Sequence, residues 1–183
     1  MESFRDLPPD LPVPEDDGAA DHLRGARLPS LTLAAASGEP VDLAQAAAGT
    51  LVLYVYPRTG VPGQPLLEGW DEIPGARGCT PQNCAFRDLH GELRALGATV
   101  HGLSSQPLDE QIEFAARERI PYPLLNDSDL RLAEDPGLPT LEAGEMRLYK
   151  RLALIARGGT IDSVIYPVFP PGSDAAAVLA LLE

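Results

Sequence analysis

Apolar positions fall into short blocks separated by Pro, Gly and acidic residues, and their period changes along the chain. Residues 31–33 and 41–43 flank Ser37-Gly38-Glu39, a turn-rich gap that predicts a short hairpin. Residues 50–56 form an unbroken run of strand-forming side chains ended by Pro57. Apolar on both faces, that run predicts a central strand covered on both sides. Residues 58–78 carry Pro62, Pro65, Pro74 and five glycines and predict a loop. A loop of that length in a small domain usually has work to do. A helix is expected next, with Thr80 as its cap, Pro81 in its first turn and Gly97 at its stop. Phe86, Leu89, Leu93 and Leu96 recur along it at helical spacing.

Beyond it, residues 99–103 predict a second strand. Pro107 opens another helix, with Asp109 and Glu110 early and Arg117 and Arg119 late, as the helix dipole favours, and Pro121 closes it. A short helix is expected at 130–134. Strands at 151–156 and 161–168 meet around Gly158-Gly159, and a last helix covers 175–182. Strands and helices alternate and a hairpin and helix close the chain, which defines an α/β fold with a mixed central sheet flanked by helices and an N-terminal hairpin.

Composition bounds the function. The 183 residues suit one domain with a real core. Residues 1–27 are rich in Pro and acid (Pro8, Pro9, Pro12, Pro14, Glu15, Asp16, Asp17) and read as an extension preceding a domain at 28–183. The net charge is -13, with 14 Lys and Arg against 27 acids, which argues against a nucleic-acid partner. No apolar run is long enough for a helical membrane span, and the first residues lack a basic flank followed by an apolar stretch, so a cytoplasmic location is the expectation.

Two cysteines are present, Cys79 and Cys84. In a reducing compartment a close pair points to metal or redox chemistry. His22, His90 and His101 show no metal-ligand spacing with them, so no metal and no cofactor is expected. Cys79 stands where a Gly-rich loop enters a helix. Unpaired backbone N–H groups and the positive end of the dipole collect there and favour a thiolate. Cys84 lies five positions on; in a regular helix the two Cα atoms would be about 8.7 Å apart and about 140° around the axis. Disulfides need roughly 4.4–6.8 Å, so pairing requires the first turn to unwind. Pro81 and Asn83, poor interior helix formers, favour that.

The segment Gly78-Cys79-Thr80-Pro81-Gln82-Asn83-Cys84-Ala85-Phe86-Arg87-Asp88 resembles the active-site segment of peroxiredoxins of the bacterioferritin-comigratory-protein or Q type. Residues 51–57, 100–105, 123–127 and 151–161 resemble further segments of that family, so the likeness spans most of 28–183. It implies a thioredoxin-like fold. It also implies a peroxidase in which Cys79 attacks hydrogen peroxide or an organic hydroperoxide and Cys84 resolves the sulfenic acid as an intramolecular disulfide. Thioredoxin or a similar dithiol would be the reductant, and a monomer or weak homodimer the working state. Arg151 matches the family's strand arginine, which would hold Cys79 ionised and polarise the peroxide; Arg147 and Arg157 are fallbacks. Pro57, Thr59 and Thr80 are candidates for peroxide binding.

The chain departs from the pattern at several positions. Glu72 and Ala76 stand where the family usually has Pro and Thr, seven and three residues before the reactive cysteine, and the stretch up to Gly78 reads as an insertion. Either Thr59 folds back to supply the missing hydroxyl, or the hydroxyl is absent and the positioning of peroxide is weaker. Gln82 occupies a position often held by Glu. Trp70, within the insertion, reads as a lid or as a loop anchor. Two rival functions share the fold: a thiol–disulfide oxidoreductase, disfavoured because the spacing is not Cys-x-x-Cys, and a non-enzymatic redox sensor.

Overall fold

The computed structural model describes residues 4–183, so the first three residues of the predicted extension lie outside the described residues. The chain forms strands β1 (Thr32–Ala35) and β2 (Val41–Asp42), a short helix α1 (Leu43–Ala46) and strand β3 (Thr50–Val55). After the long loop come helices α2 (Cys79–Asp88) and α3 (His90–Ala95), strand β4 (Ala98–Ser104), helix α4 (Leu108–Glu118), strand β5 (Leu124–Asn126) and helix α5 (Arg131–Glu134). A hairpin of β6 (Thr140–Ala143) and β7 (Met146–Tyr149) precedes strands β8 (Leu152–Arg157) and β9 (Thr160–Ile165) and the closing helix α6 (Ser173–Leu182).

Seven strands make one mixed sheet in the order β2-β1-β5-β4-β3-β8-β9. β3 lies parallel to β4 and antiparallel to β8, so it is central as its two-sided hydrophobicity requires. Leu51, Leu53 and Val55 face one layer, where α1, α5 and the N-terminal segment pack; Val52, Tyr54 and Tyr56 face the other, where α2, α3, α4 and α6 pack. Each is fully buried, and burying an aliphatic side chain of this size contributes about 1.5–3 kcal/mol.

Several sequence expectations need correction. The helix expected to run unbroken to Gly97 is interrupted at Leu89, which separates α2 from α3. α4, by contrast, runs as expected from the Pro107 cap to Glu118, with Arg119 as its left-handed cap (φ 55°) just before Pro121. The β6–β7 hairpin carries no strong turn dipeptide and was not anticipated from the sequence. The N-terminal segment is not a bare extension. Ala20 and Leu23 are buried in the main core, Arg27 bridges to Thr160, and Asp17 pairs with Lys150. Among the described residues no helix is long and apolar enough to cross a membrane.

Candidate active site

β3 delivers the chain to the loop at 57–78, and α2 starts where that loop returns over the end of the strand. The cap of α2 is Gly78, not Thr80: Gly78 is left-handed (φ 109°), and a Cβ there would lie 2.3 Å from Pro171 Cγ. Glycine alone meets both conditions. Cys79 is therefore the first helical residue, 3% exposed, and Thr80 sits buried inside the first turn.

Arg151, the residue before β8, reaches across to this turn and is itself 3% exposed. Its Nη2 lies 3.4 Å from Cys79 Sγ and donates to the carbonyls of Gly75, Ala76 and Arg77 at 3.1–3.2 Å. Its Nη1 donates to the Gly78 carbonyl at 3.3 Å and to Gln82 Oε1. A buried guanidinium caged by carbonyls cannot swing away, and the two N–H groups of Nη2 are shared between those carbonyls and the sulfur. The Cys79 thiol donates to the Ala76 carbonyl at 3.6 Å. The main chain at Ala76 thus meets the sulfur where no threonine hydroxyl is present. Arg147, on the β6–β7 hairpin, is bonded to Thr140, and Arg157 pairs with Asp162 at an exposed turn, so the two fallback arginines serve other contacts.

The peroxide-binding candidates separate. A shallow cleft opens onto Cys79 between Thr80, Arg77, Arg58, Trp70 and Leu66. Thr59 and Pro57 are absent from its walls. The Thr59 hydroxyl is tied to Gln106 at 3.0–3.2 Å, and buried Pro57 uses its carbonyl to accept from Ser104 at 2.9 Å. Of the three, Thr80 alone is beside the thiol. Trp70 is 4% exposed and packs in a satellite cluster with Ala76, Ala143 and Leu148. It is an anchor that joins the loop to the β6–β7 hairpin, and its edge contributes to the cleft wall.

Cys84, half-buried on the same helix, is unpaired, as is Cys79. Its thiol donates to Glu118 Oε2 at 3.5 Å. Burial pushes the Cys84 thiol up from its ordinary value and the Glu118 charge adds to that, against the opposing pull of Arg87 and Arg5. Glu118 itself is pushed up by burial, but the bond and charge of Arg5 (2.6 Å) and the charge of Arg117 (2.9 Å) hold it below the usual carboxylate value. The first turn of α2 is also more firmly tied than its composition suggested. Asn83 donates to the Cys79 carbonyl at 2.8 Å and accepts from Tyr54 at 2.7 Å. Gln82 donates to the carboxylate of Asp174 at 2.6 Å. Sequence reasoning missed Glu118, Tyr54 and Asp174, because each comes from a distant element.

Among the described residues no three His, Cys, Asp or Glu side chains are grouped to hold a metal ion. His90 packs its ring on Tyr122, His22 bonds the carbonyls of Pro136 and Gly137, and His101 is buried in β4.

Comparison with known proteins agrees with this geometry. The redoxin family model matches residues 23–180, so the chain belongs to the redoxin family. Its curated relatives include the chloroplastic peroxiredoxin Q of Sedum lineare, 27% identical over 96% of this chain and 86% of that protein. That of Gentiana triflora is 28% identical over 96% and 76%. The solved peroxidoxin BcpB of Mycobacterium tuberculosis superposes with a TM-score of 0.70 at 26% identity, covering 87% of this chain and 95% of that one. The bacterioferritin comigratory protein of Xanthomonas campestris shares the fold, with a TM-score of 0.65 at 22% identity over 94% and 97%. Within the redoxins the chain is a peroxiredoxin of the Q type, an oxidoreductase with the thioredoxin fold and thiol-dependent peroxidase activity.

Proposed function

We propose that the chain reduces hydrogen peroxide or organic hydroperoxides through Cys79, with Cys84 as the resolving thiol. The observation that carries this reading is the Arg151 N–H held 3.4 Å from Cys79 Sγ by a cage of main-chain carbonyls. A charge-assisted donor at that distance stabilises a thiolate and can polarise an oxygen bound beside it. The Cys79 thiolate attacks one peroxide oxygen and the O–O bond breaks. The second oxygen leaves as water or alcohol after taking a proton, and Cys79 becomes a sulfenic acid. The Thr80 side chain, beside the thiol, is the protein's donor or acceptor for the bound peroxide.

The first turn of α2 then unwinds. Cys84 sulfur displaces the sulfenic oxygen, which departs as water with the Cys84 proton, and the Cys79–Cys84 disulfide forms. Thioredoxin or a similar dithiol supplies two electrons and two protons by exchange to restore both thiols. Because both cysteines lie in one chain, the cycle closes within a monomer.

The test is a stopped-flow reaction of the reduced protein with stoichiometric hydrogen peroxide, followed by intact mass. Fast loss of both thiols with one new disulfide is expected. Cys79→Ser should abolish the reaction, and Cys84→Ala should stop after one turnover with a trappable sulfenic acid. Thiols that stay free in peroxide but exchange with disulfides would replace this reading with that of a thiol–disulfide oxidoreductase. Turnover of Cys84→Ala at the wild-type rate would remove the resolving role.

A further inference from the structure

Asp174 is fully buried on the first turn of α6, and burial pushes its carboxyl above the usual carboxylate range. An acid suits a helix N-terminus, but the dipole does not explain where this one points. Its Oδ2 accepts from Gln82 Nε2 at 2.6 Å, while Oδ1 has no hydrogen-bond partner among the described residues. Gln82 is also fully buried, and its NH2 group meets a second acceptor, the Val55 carbonyl, at 3.4 Å. A carboxylate and a carbonyl accept only, so both fix the amide with its nitrogen toward them and its oxygen away. That oxygen is the one that receives Arg151 Nη1, and Arg151 Nη2 contacts Cys79 Sγ.

We infer that Asp174 is a positioning residue for the thiol chemistry, setting the Gln82 amide so that its oxygen holds Arg151 against Cys79. The negative charge that balances Arg151 stands one hydrogen bond away, behind an amide that relays it. Were the amide reversed, an N–H would face the guanidinium and the contact would turn repulsive. The inference rests on the reading of Cys79 as the peroxide-reactive thiol.

The test exploits the equal shapes of carboxylate and amide. Gln82→Glu places two carboxyl groups at the 2.6 Å contact, where they must repel or share a proton in place of the amide donor. Combining it with Asp174→Asn restores a donor and an acceptor of the same shape, with the charge moved onto residue 82. Loss of one hydrogen bond to a charged group in the reactive state should slow oxidation of Cys79 by hydrogen peroxide roughly tenfold in Gln82→Glu. The double variant should recover to within a few-fold of wild type. Asp174→Leu should resemble Gln82→Glu, and Asp174→Asn, which keeps an acceptor oxygen but loses the charge behind the amide, should slow the oxidation to a smaller extent. These two carry the test if Gln82→Glu does not fold.

Alkylation of Cys79 by iodoacetamide is the second readout. A merely structural role would loosen the fold, expose the buried thiol and raise alkylation in step with a lower unfolding midpoint. A positioning role lowers peroxide oxidation without that rise. Oxidation at the wild-type rate in both Gln82→Glu and Asp174→Leu overturns the inference, as does a folded double variant that fails to recover. A wild-type Cys79 that ignores peroxide overturns the proposed function itself, and the inference with it.

Discussion

The side-chain oxygen of Asn83 accepts a 2.7 Å hydrogen bond from the hydroxyl of Tyr54 on the central strand. Asn83 also donates to the Cys79 carbonyl at 2.8 Å, so the sheet grips the turn that must open before the cysteines can meet. Tyr54→Phe keeps the ring stacked on Phe86, 4.2 Å between centroids, and removes the hydroxyl alone. Leaving a buried acceptor unpaired costs about 1–3 kcal/mol of the wound state. Conversion of sulfenic acid to disulfide should therefore quicken by roughly fivefold or more, since about 1–2 kcal/mol corresponds to a factor of 5–30. Quenched-flow mass analysis after one equivalent of peroxide reads the rate. An unchanged rate would show that this bond does not limit unwinding.

Glu118 faces Cys84 at 3.5 Å and adds to the burial that disfavours the Cys84 thiolate. Glu118→Gln removes the negative charge and leaves Arg87 and Arg5 unopposed, so the thiolate fraction at a given pH should rise. Alkylation of Cys84 near neutral pH should therefore be faster, because the thiolate is the form that reacts. Iodoacetamide labelling in a Cys79→Ser background isolates that thiol. Arg87→Leu should act in the opposite direction. Slower labelling in Glu118→Gln would mean that the carboxylate activates Cys84 instead of restraining it.

His101 is buried in β4, its Nδ1 has no hydrogen-bond partner among the described residues, and burial pushes its imidazole down to about 4. An unfolded chain takes up a proton at the ordinary histidine value of about 6.5, where the folded one does not. The unfolded state therefore binds more protons between those two values, and stability falls as pH drops through that window. The loss should total about 3 kcal/mol and level off below the folded value. His101→Phe should flatten it. Urea unfolding at pH 7 and pH 4.5 on both proteins measures the difference, and comparing the two cancels the opposite trend from Asp174, whose raised value favours the folded state in acid.

The sheet was legible where one strand announced its own environment. The run at 50–56 is apolar on both faces, and β3 is buried on both faces. Cys79 could be placed because a glycine-rich loop ending in a helix is a local pattern. The rest of the site is not local. Glu118, Asp174 and Tyr54 reach α2 across 34, 92 and 29 residues of chain, and no local pattern ties any of them to that helix. Thr80 looked like a cap because threonine caps helices, but Gly78 takes the capping position, since the close approach of Pro171 admits no side chain there. Asn83 looked like a weak point because its intrinsic propensity is poor. Its side chain instead supplies bonds that propensity does not count.

Ala76 stands where a threonine was expected, and its surroundings explain the exchange. It is fully buried against Trp70, Ala143 and Leu148, so the side chain serves the packing of the loop on the β6–β7 hairpin. Its carbonyl takes the Arg151 N–H at 3.1 Å and the Cys79 thiol at 3.6 Å. Ala76→Thr would force a methyl and a hydroxyl into that apolar contact. Overpacking of this kind costs about 1–3 kcal/mol, with more for a hydroxyl that finds no partner. For a chain of this size each kcal/mol lowers the melting temperature by about 2–4 °C. The variant should melt several degrees lower and react with peroxide no faster than wild type. Faster reaction without loss of stability would show that the thiol does want a hydroxyl donor there, which the Ala76 carbonyl, an acceptor only, does not supply.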